Sequence, residues 1–268
     1  MRPADKVFAG IYLDSSGERR AVGQVYQSPK LSSAQVHFLM APEGAARDVT
    51  PLLEGLVRKA GSWGAKQIVA EISPDSENYP QLRQAGFYVF AKQRLFQIAS
   101  SEILSQGLAR HWRIWNSDDI PAMRVLYQTL VPPLIRPVEP LTRLEMLGLV
   151  FYDSSGELQA FADLIYGPSG VWVLPFIHPQ SSVDMAELLI QLVQDLPDLS
   201  GRPVYIVARS YQPWVENALE PVAGYRSPEQ ALVVKYLALR QPSRADLAFQ
   251  RLQKGSTEPT FPVTPIAK

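Results

Sequence analysis

One pattern constrains this chain more than any other: the same order of elements runs through it twice. The pentapeptide Asp-Ser-Ser-Gly-Glu stands at 14–18 and again at 153–157. By itself it is ordinary hairpin-turn chemistry, so its flanks decide. Before the first copy, VFAGIYL has the aromatic and β-branched content of a strand, and RRAVGQVYQ returns after it. AQVHFLMAP (34–42) is a third strand ended by proline. DVTPLLEGLVRKAGSWGA is a helix, with Thr50 as its cap, Pro51 at its first position and Leu52, Leu53, Leu56, Val57 and Ala60 along one face. KQIVAEIS is a buried strand, SENYPQLRQ a short helix, and YVFAKQRLFQIA a final strand or strand pair.

From Leu147 the walk repeats: LGLVFY, the turn, LQAFADLIY, then GVWVLPFIHP ended by Pro179. DMAELLIQLVQDL is the helix, PVYIVARS the strand, YQPWVENALEPVAGY the second helix and QALVVKYLAL the last strand. The offset stays nearly constant: Asp48 to Asp184 is 136, Pro42 to Pro179 is 137, and Gly86 to Gly224 is 138. Chance similarity of two generic α/β segments would not hold six elements so close to one offset. The period exceeds that of solenoid arrays, so the sequence predicts a tandem duplication, with domains at 1–100 and 101–240. The second copy carries extra parts in front. RHWRIWNSDDIPAMRVLYQTLVP reads as a strand, a Ser/Asp cap and a helix, and LIRPVEPLTRLEM as a second, proline-broken helix. The first copy begins its hairpin at Val7 and has no room for them. Residues 241–268 are polar and rich in Pro, Ser, Thr and Gln, which predicts a mobile tail.

Composition narrows the chemistry. Lys+Arg and Asp+Glu are both 26 in 268 residues, with no basic stripe, which argues against nucleic acid as a partner. There is no cysteine, hence no disulfide, thiolate metal site or cysteine nucleophile. No apolar run reaches membrane-span or signal-peptide length, and the expectation is a soluble, cytoplasmic protein. The three histidines, at 37, 111 and 178, lack ligand spacing, so no metal is expected.

The unit strand, helix, helix, hairpin, strand, helix, strand, helix, strand resembles the GNAT (GCN5-related N-acetyltransferase) superfamily. The residues that carry the resemblance are Leu52-Leu53, Gly64-Ala65, Ile68-Val69-Ala70-Glu71 and Leu82-x-x-Ala85-Gly86-Phe87. It covers about 6–99 and 108–240 and implies an α/β fold: two tandem acyl-CoA N-acyltransferase-like domains with mixed, mostly antiparallel sheets flanked by helices. It also implies acetyl-CoA as cofactor, lying where the family's fourth and fifth strands part, with its diphosphate on the loop entering the next helix. On this chain that places the cofactor at Phe38, Leu39 and Met40 and at the loop residues Gly44, Ala45, Ala46 and Arg47. The family's Gln/Arg and second glycine are out of register there, Glu43 brings a negative charge, and an ordinary small-residue loop accounts for the same residues. In the second copy, Gln180, Ser181 and Ser182 come without glycine, and Asp184 is positioned to occupy the helix cap itself.

The family reaction needs a base for the acceptor ammonium and an acid for the leaving thiolate. Where the family often has its tyrosine, the copies have Leu82 and Glu220; Tyr79 and Tyr211 lie nearby. His37 is a base if it faces the cleft, and Glu71 is the remaining acid, matched in the second copy by Arg209. Packing or surface roles explain each of these equally. Two readings stay open. One is an N-acyltransferase moving an acetyl group to a small-molecule or protein amine. The other is a non-catalytic GNAT-fold binding, scaffolding or acyl-CoA-sensing protein. An open acceptor side on the first copy would have to be covered by the second copy or by a homodimer partner.

Overall fold

The computed structural model describes residues 5–13, 15–29, 31–41, 48–98, 112–141 and 147–237. The loop residues Gly44, Ala45, Ala46 and Arg47 and the 241–268 tail lie outside this set.

The N-terminal half contributes β1 (Lys6–Leu13), β2 (Arg19–Gln27), β3 (Ser33–Met40), α1 (Thr50–Ser62), β4 (Gln67–Ile72), α2 (Asn78–Gln84) and β5 (Tyr88–Ile98). The C-terminal half opens with β6 (Arg113–Ile114), a 3-10 turn (Ser117–Asp119) and α3 (Ile120–Leu130). It continues with β7 (Gly148–Tyr152), β8 (Leu158–Gly167), β9 (Gly170–Ile177), α4 (Met185–Gln194), β10 (Val204–Arg209), α5 (Pro213–Leu219), β11 (Tyr225–Arg226) and β12 (Gln230–Tyr236).

The strands form one sheet in the order β1-β2-β3-β4-β12-β5-β10-β9-β8-β7-β6, with β11 beside β5. Only β3·β4 and β9·β10 are parallel. Each half therefore lends its last strand to the other: β12 bonds to β4 and β5 bonds to β10. The two lent strands meet at the centre, where Gln93 faces Gln230. The registers are reciprocal. Ala34 faces Ile68 and Val171 faces Val204, while on the far side Ile72 faces Ala231 and Ala208 faces Arg94. On that alignment Glu71 corresponds to Val207 and Arg209 to Ser73, which corrects the expected match of Glu71 with Arg209. One sequence-level offset does not hold through loops of unequal length.

Period-two alternation sorts the lent strands between layers. Ala231 and Val233 enter a core under α1 and α2, Phe96 and Ile98 enter one under α4 and α5, and Leu232 and Ala91 point the other way, toward α3. Four helices thus cover one face, and α3 covers part of the other. Leu52, Leu53, Leu56 and Ala60 of α1 are buried as the stripe predicts, each leucine contributing about 1.5–3 kcal/mol. Thr50 is the first helical residue rather than the cap; Val49 caps without a side-chain bond, and Asp48 Oδ1 takes the Thr50 amide at 2.9 Å. The expected second helix after α3 is a run of turns through 133–139, because its prolines remove amide donors. Ile135 and Val138 of this segment are buried, and the Pro137 carbonyl accepts from Gln67 Nε2 of β4 at 2.7 Å. The segment reaches the N-terminal half but leaves β1 to β3 bare on this face. Val7, Ile11, Leu13 and Met40 are 58%, 57%, 53% and 59% exposed.

Candidate functional site

In both halves the parallel pair parts after three residues. β3 follows β4 through Ser33–Gln35 and Gln67–Val69; β9 follows β10 through Val171–Val173 and Val204–Ile206. Beyond these residues each pair opens a wedge whose inner strand edges lack a strand partner. The two wedges differ in what lies in them.

In the C-terminal half the wedge is filled by the chain itself. Gln212, 1% exposed, accepts the Ile177 amide at 3.2 Å and donates to the Pro175 carbonyl at 3.0 Å. Trp214 Nε1 donates to the Ile177 carbonyl, also at 3.0 Å. Pro213 at the start of α5 aims both side chains back at β9. The α4 entrance is closed in the same manner, as Asp184 Oδ1 accepts the amides of Ala186 and Glu187 at 3.0 and 3.1 Å. A helix N-terminus capped by its own carboxylate is a poor diphosphate site.

The N-terminal wedge has no such filling among the described residues. Its one side-chain bond to β3 is from Asn78 Nδ2 to the Leu39 carbonyl, at 3.5 Å. β3 is also bulged. Gln24 faces Phe38 and Val25 faces Val36, so His37 is the extra residue, whereas β8 and β9 run in unbroken register. A bulge bends its strand and re-aims side chains. His37 is exposed, its ring meeting Tyr26 edge-on at 6.0 Å. Phe38 and Met40 are exposed beside it, and Leu39 packs into the α1 core. Glu71 is exposed on β4 and accepts from Gln93 Nε2 at 3.1 Å. It shares with His37 the face away from α1. Tyr79 is not gathered with them, because its ring packs against the α1 core from α2.

Glu71 begins a polar chain that sequence reasoning did not find. Gln93 also donates to Gln230, at 2.7 Å, and accepts from Arg209 Nη1. Arg209 pairs with Glu139 at 2.6 Å, and Glu139 accepts from Tyr211 at 3.0 Å. Burial, then the neighbouring Glu139 charge, pushes the Tyr211 hydroxyl far above its ordinary value. That tyrosine is a fixed donor to Glu139 rather than an acid facing a cleft. The run Tyr211-Gln212-Pro213-Trp214 carried a usable signal: proline at a helix start, preceded by a side chain able to fold back.

No family model and no curated protein matches the chain. Solved structures do. A GCN5-related N-acetyltransferase from Sphaerobacter thermophilus aligns over 85% of this chain and 80% of its own, at 15% identity and a TM-score of 0.52. The chain has the GNAT fold. A functionally unknown conserved protein from Staphylococcus epidermidis ATCC 12228 aligns over 81% of this chain and 91% of its own, at 12% identity and a TM-score of 0.53. Identities this low establish the GNAT architecture and leave the chemistry to the site. No described helix is long and apolar enough to cross a membrane.

Proposed function

We propose that the chain is an acyl-CoA-dependent N-acyltransferase whose N-terminal half holds acetyl-CoA in the wedge between β3 and β4. In this reading residues 1–100 and 101–240 are the two copies, and the 101–240 copy serves as a scaffold. The observation that carries it is the contrast between a bulged, unfilled wedge in one half and a wedge occupied by Gln212 and Trp214 in the other. A pantetheine arm carries amides that pair with a free strand edge, and Phe38 to Met40 present such an edge. The loop with Gly44, Ala45, Ala46 and Arg47 enters α1 and would take the diphosphate.

The transfer is attack by a neutral amine nitrogen on the thioester carbon, forming C–N and breaking C–S. His37, exposed at the bulge, is placed to accept the ammonium proton, with Glu71 on the same face as a second acceptor. Tyr79 is the remaining proton source for the thiolate, and its packed ring makes it the weakest of the three assignments. The acceptor is a small-molecule or protein amine approaching over the bare face of β1 to β3. A second copy of the chain packing on that face would make a homodimer, which sedimentation velocity tests directly.

Calorimetric titration with acetyl-CoA tests the reading. One site per chain is expected, lost in Gly44→Glu and kept in Ser182→Glu. The reverse pattern moves the cofactor to the C-terminal half. A second reading, a cofactor-binding protein without turnover, has its own support: Leu82 is fully buried where the family often has its tyrosine. Binding without acetyl transfer to any primary amine in a screen would favour it.

A further inference from the structure

On the α4 side of the C-terminal half, a groove of about 630 Å³ opens between the end of β7 and the start of α4. It falls in the size range of small-molecule sites. Three carboxylates line it, those of Asp153, Asp184 and Glu187, and no lining residue is basic. The α4 N-terminus offsets about half a charge of this, so the groove remains negative. Phe151 and Val183 supply apolar wall, and Ser154 and Ser182 supply hydroxyls.

A second observation points to a ligand. Gln191 also lines the groove and is 4% exposed. Its Nε2 donates to Glu187 Oε1 at 3.1 Å, but its Oε1 is buried with no hydrogen-bond partner. An unmet buried acceptor costs about as much as a lost hydrogen bond, and a donor entering the groove would satisfy it. That donor is not a chelated metal ion, because no group of carboxylates and histidines among the described residues is arranged to hold one. Separated carboxylates, an acceptor oxygen and an apolar wall match an alkylammonium, whose charged heads are spaced by hydrocarbon.

We propose that this groove binds an aliphatic amine in its ammonium form. One head lies at Glu187 and the Gln191 oxygen, the stem along Phe151 and Val183, and any further head at Asp153 or Asp184. The ligand is either a free polyamine or a lysine side chain of another protein. The site is independent of acetyl-CoA in the N-terminal half and stands or falls on its own.

Calorimetry at fixed ionic strength decides it, with spermidine, a lysine-containing peptide and magnesium chloride as separate titrants. Saturable binding of an amine is expected, with magnesium unable to compete at equal charge. Glu187→Gln, an exposed and isosteric change, should weaken binding about tenfold by removing a charge-assisted bond. Gln191→Leu should weaken it several-fold while leaving the melting temperature equal or higher, since it removes the unmet oxygen. Tighter spermidine identifies a free amine, and a tighter peptide identifies a protein lysine. Absence of saturable amine binding overturns the proposal. So does equal competition by magnesium, or unchanged affinity in both variants.

Discussion

Arg209 on β10 and Glu139 in the segment after α3 form a buried ion pair, Nη2 to Oε1 at 2.6 Å, with side chains 6% and 15% exposed. It anchors the 132–141 segment to the sheet where the two halves meet. Removing one partner strands the other charge in a buried setting. Glu139→Gln or Arg209→Met should cost about 3–5 kcal/mol in urea unfolding. The double variant Arg209→Met with Glu139→Leu should recover most of that loss. Additive losses in the double-mutant cycle would show that the two residues act separately.

Gln212 is expected to be structural cement. Gln212→Ala leaves the Ile177 amide and the Pro175 carbonyl without partners, at about 1–3 kcal/mol for each group left unmet. Hydrogen exchange at Ile177 should accelerate well beyond that at the paired strand residue Val173. Unchanged exchange would mean that another group fills the wedge.

Asp119 carries the clearest pH signature. It accepts two bonds from Arg113, at 2.8 and 2.6 Å, one from Tyr152 at 2.7 Å and one from the Asn116 amide at 2.8 Å. The Arg113 guanidinium, more than any other neighbour, holds its carboxyl down at about 2, below the ordinary 3.8. A depressed carboxyl stabilises the fold at every pH above the unfolded value and loses that contribution as pH falls through the folded one. Asp119→Asn should therefore destabilise by about 2 kcal/mol at neutral pH. The gap to wild type should close between about pH 4 and pH 2. A gap that stays constant down to pH 2 would remove Asp119 as its source.

Two glycines make a matched control. A Cβ on Gly148 would lie 2.6 Å from the Ala162 carbonyl oxygen and 2.9 Å from the Trp115 ring, whereas one on Gly55, inside α1, meets nothing within 4 Å. Gly148→Ala should destabilise by about 1–3 kcal/mol through overpacking. Gly55→Ala should raise stability by up to about 1 kcal/mol through helix propensity. Thermal melts of both, side by side, check the packing and the helix together.

The duplicated order of elements was legible because hydrophobic period and turn residues are local properties: the stripe of α1 and both Asp-Ser-Ser-Gly-Glu turns follow from neighbours in sequence. The lending of β5 and β12 was not legible, since either strand satisfies its alternation beside any apolar neighbour. For the same reason Glu71 was set against Arg209. A count along the chain cannot say that the two are joined through Gln93, a residue on a third strand. The wedge filling by Gln212 was partly signalled by Pro213, which starts α5, but a glutamine side chain gives no sign of direction without its target. The carboxylates around α4 are far apart in sequence, Asp153 from Asp184, so their common groove emerges only on folding.

The lent strands set an order for synthesis. Ile72 on β4 must wait for Ala231, and Lys235 secures the Ala85 carbonyl from 150 residues downstream. A ribosome that has released the whole N-terminal half has released a sheet with one side unzipped and β5 still lacking β10. Closure comes only when the last strand emerges, which makes both halves mature together and nearly at the end of translation. Contacts of such sequence separation form slowly. A nascent chain stalled before Gln230 therefore exposes raw strand edges from both copies, and quality control would meet a single unfinished molecule rather than one finished domain and one incomplete.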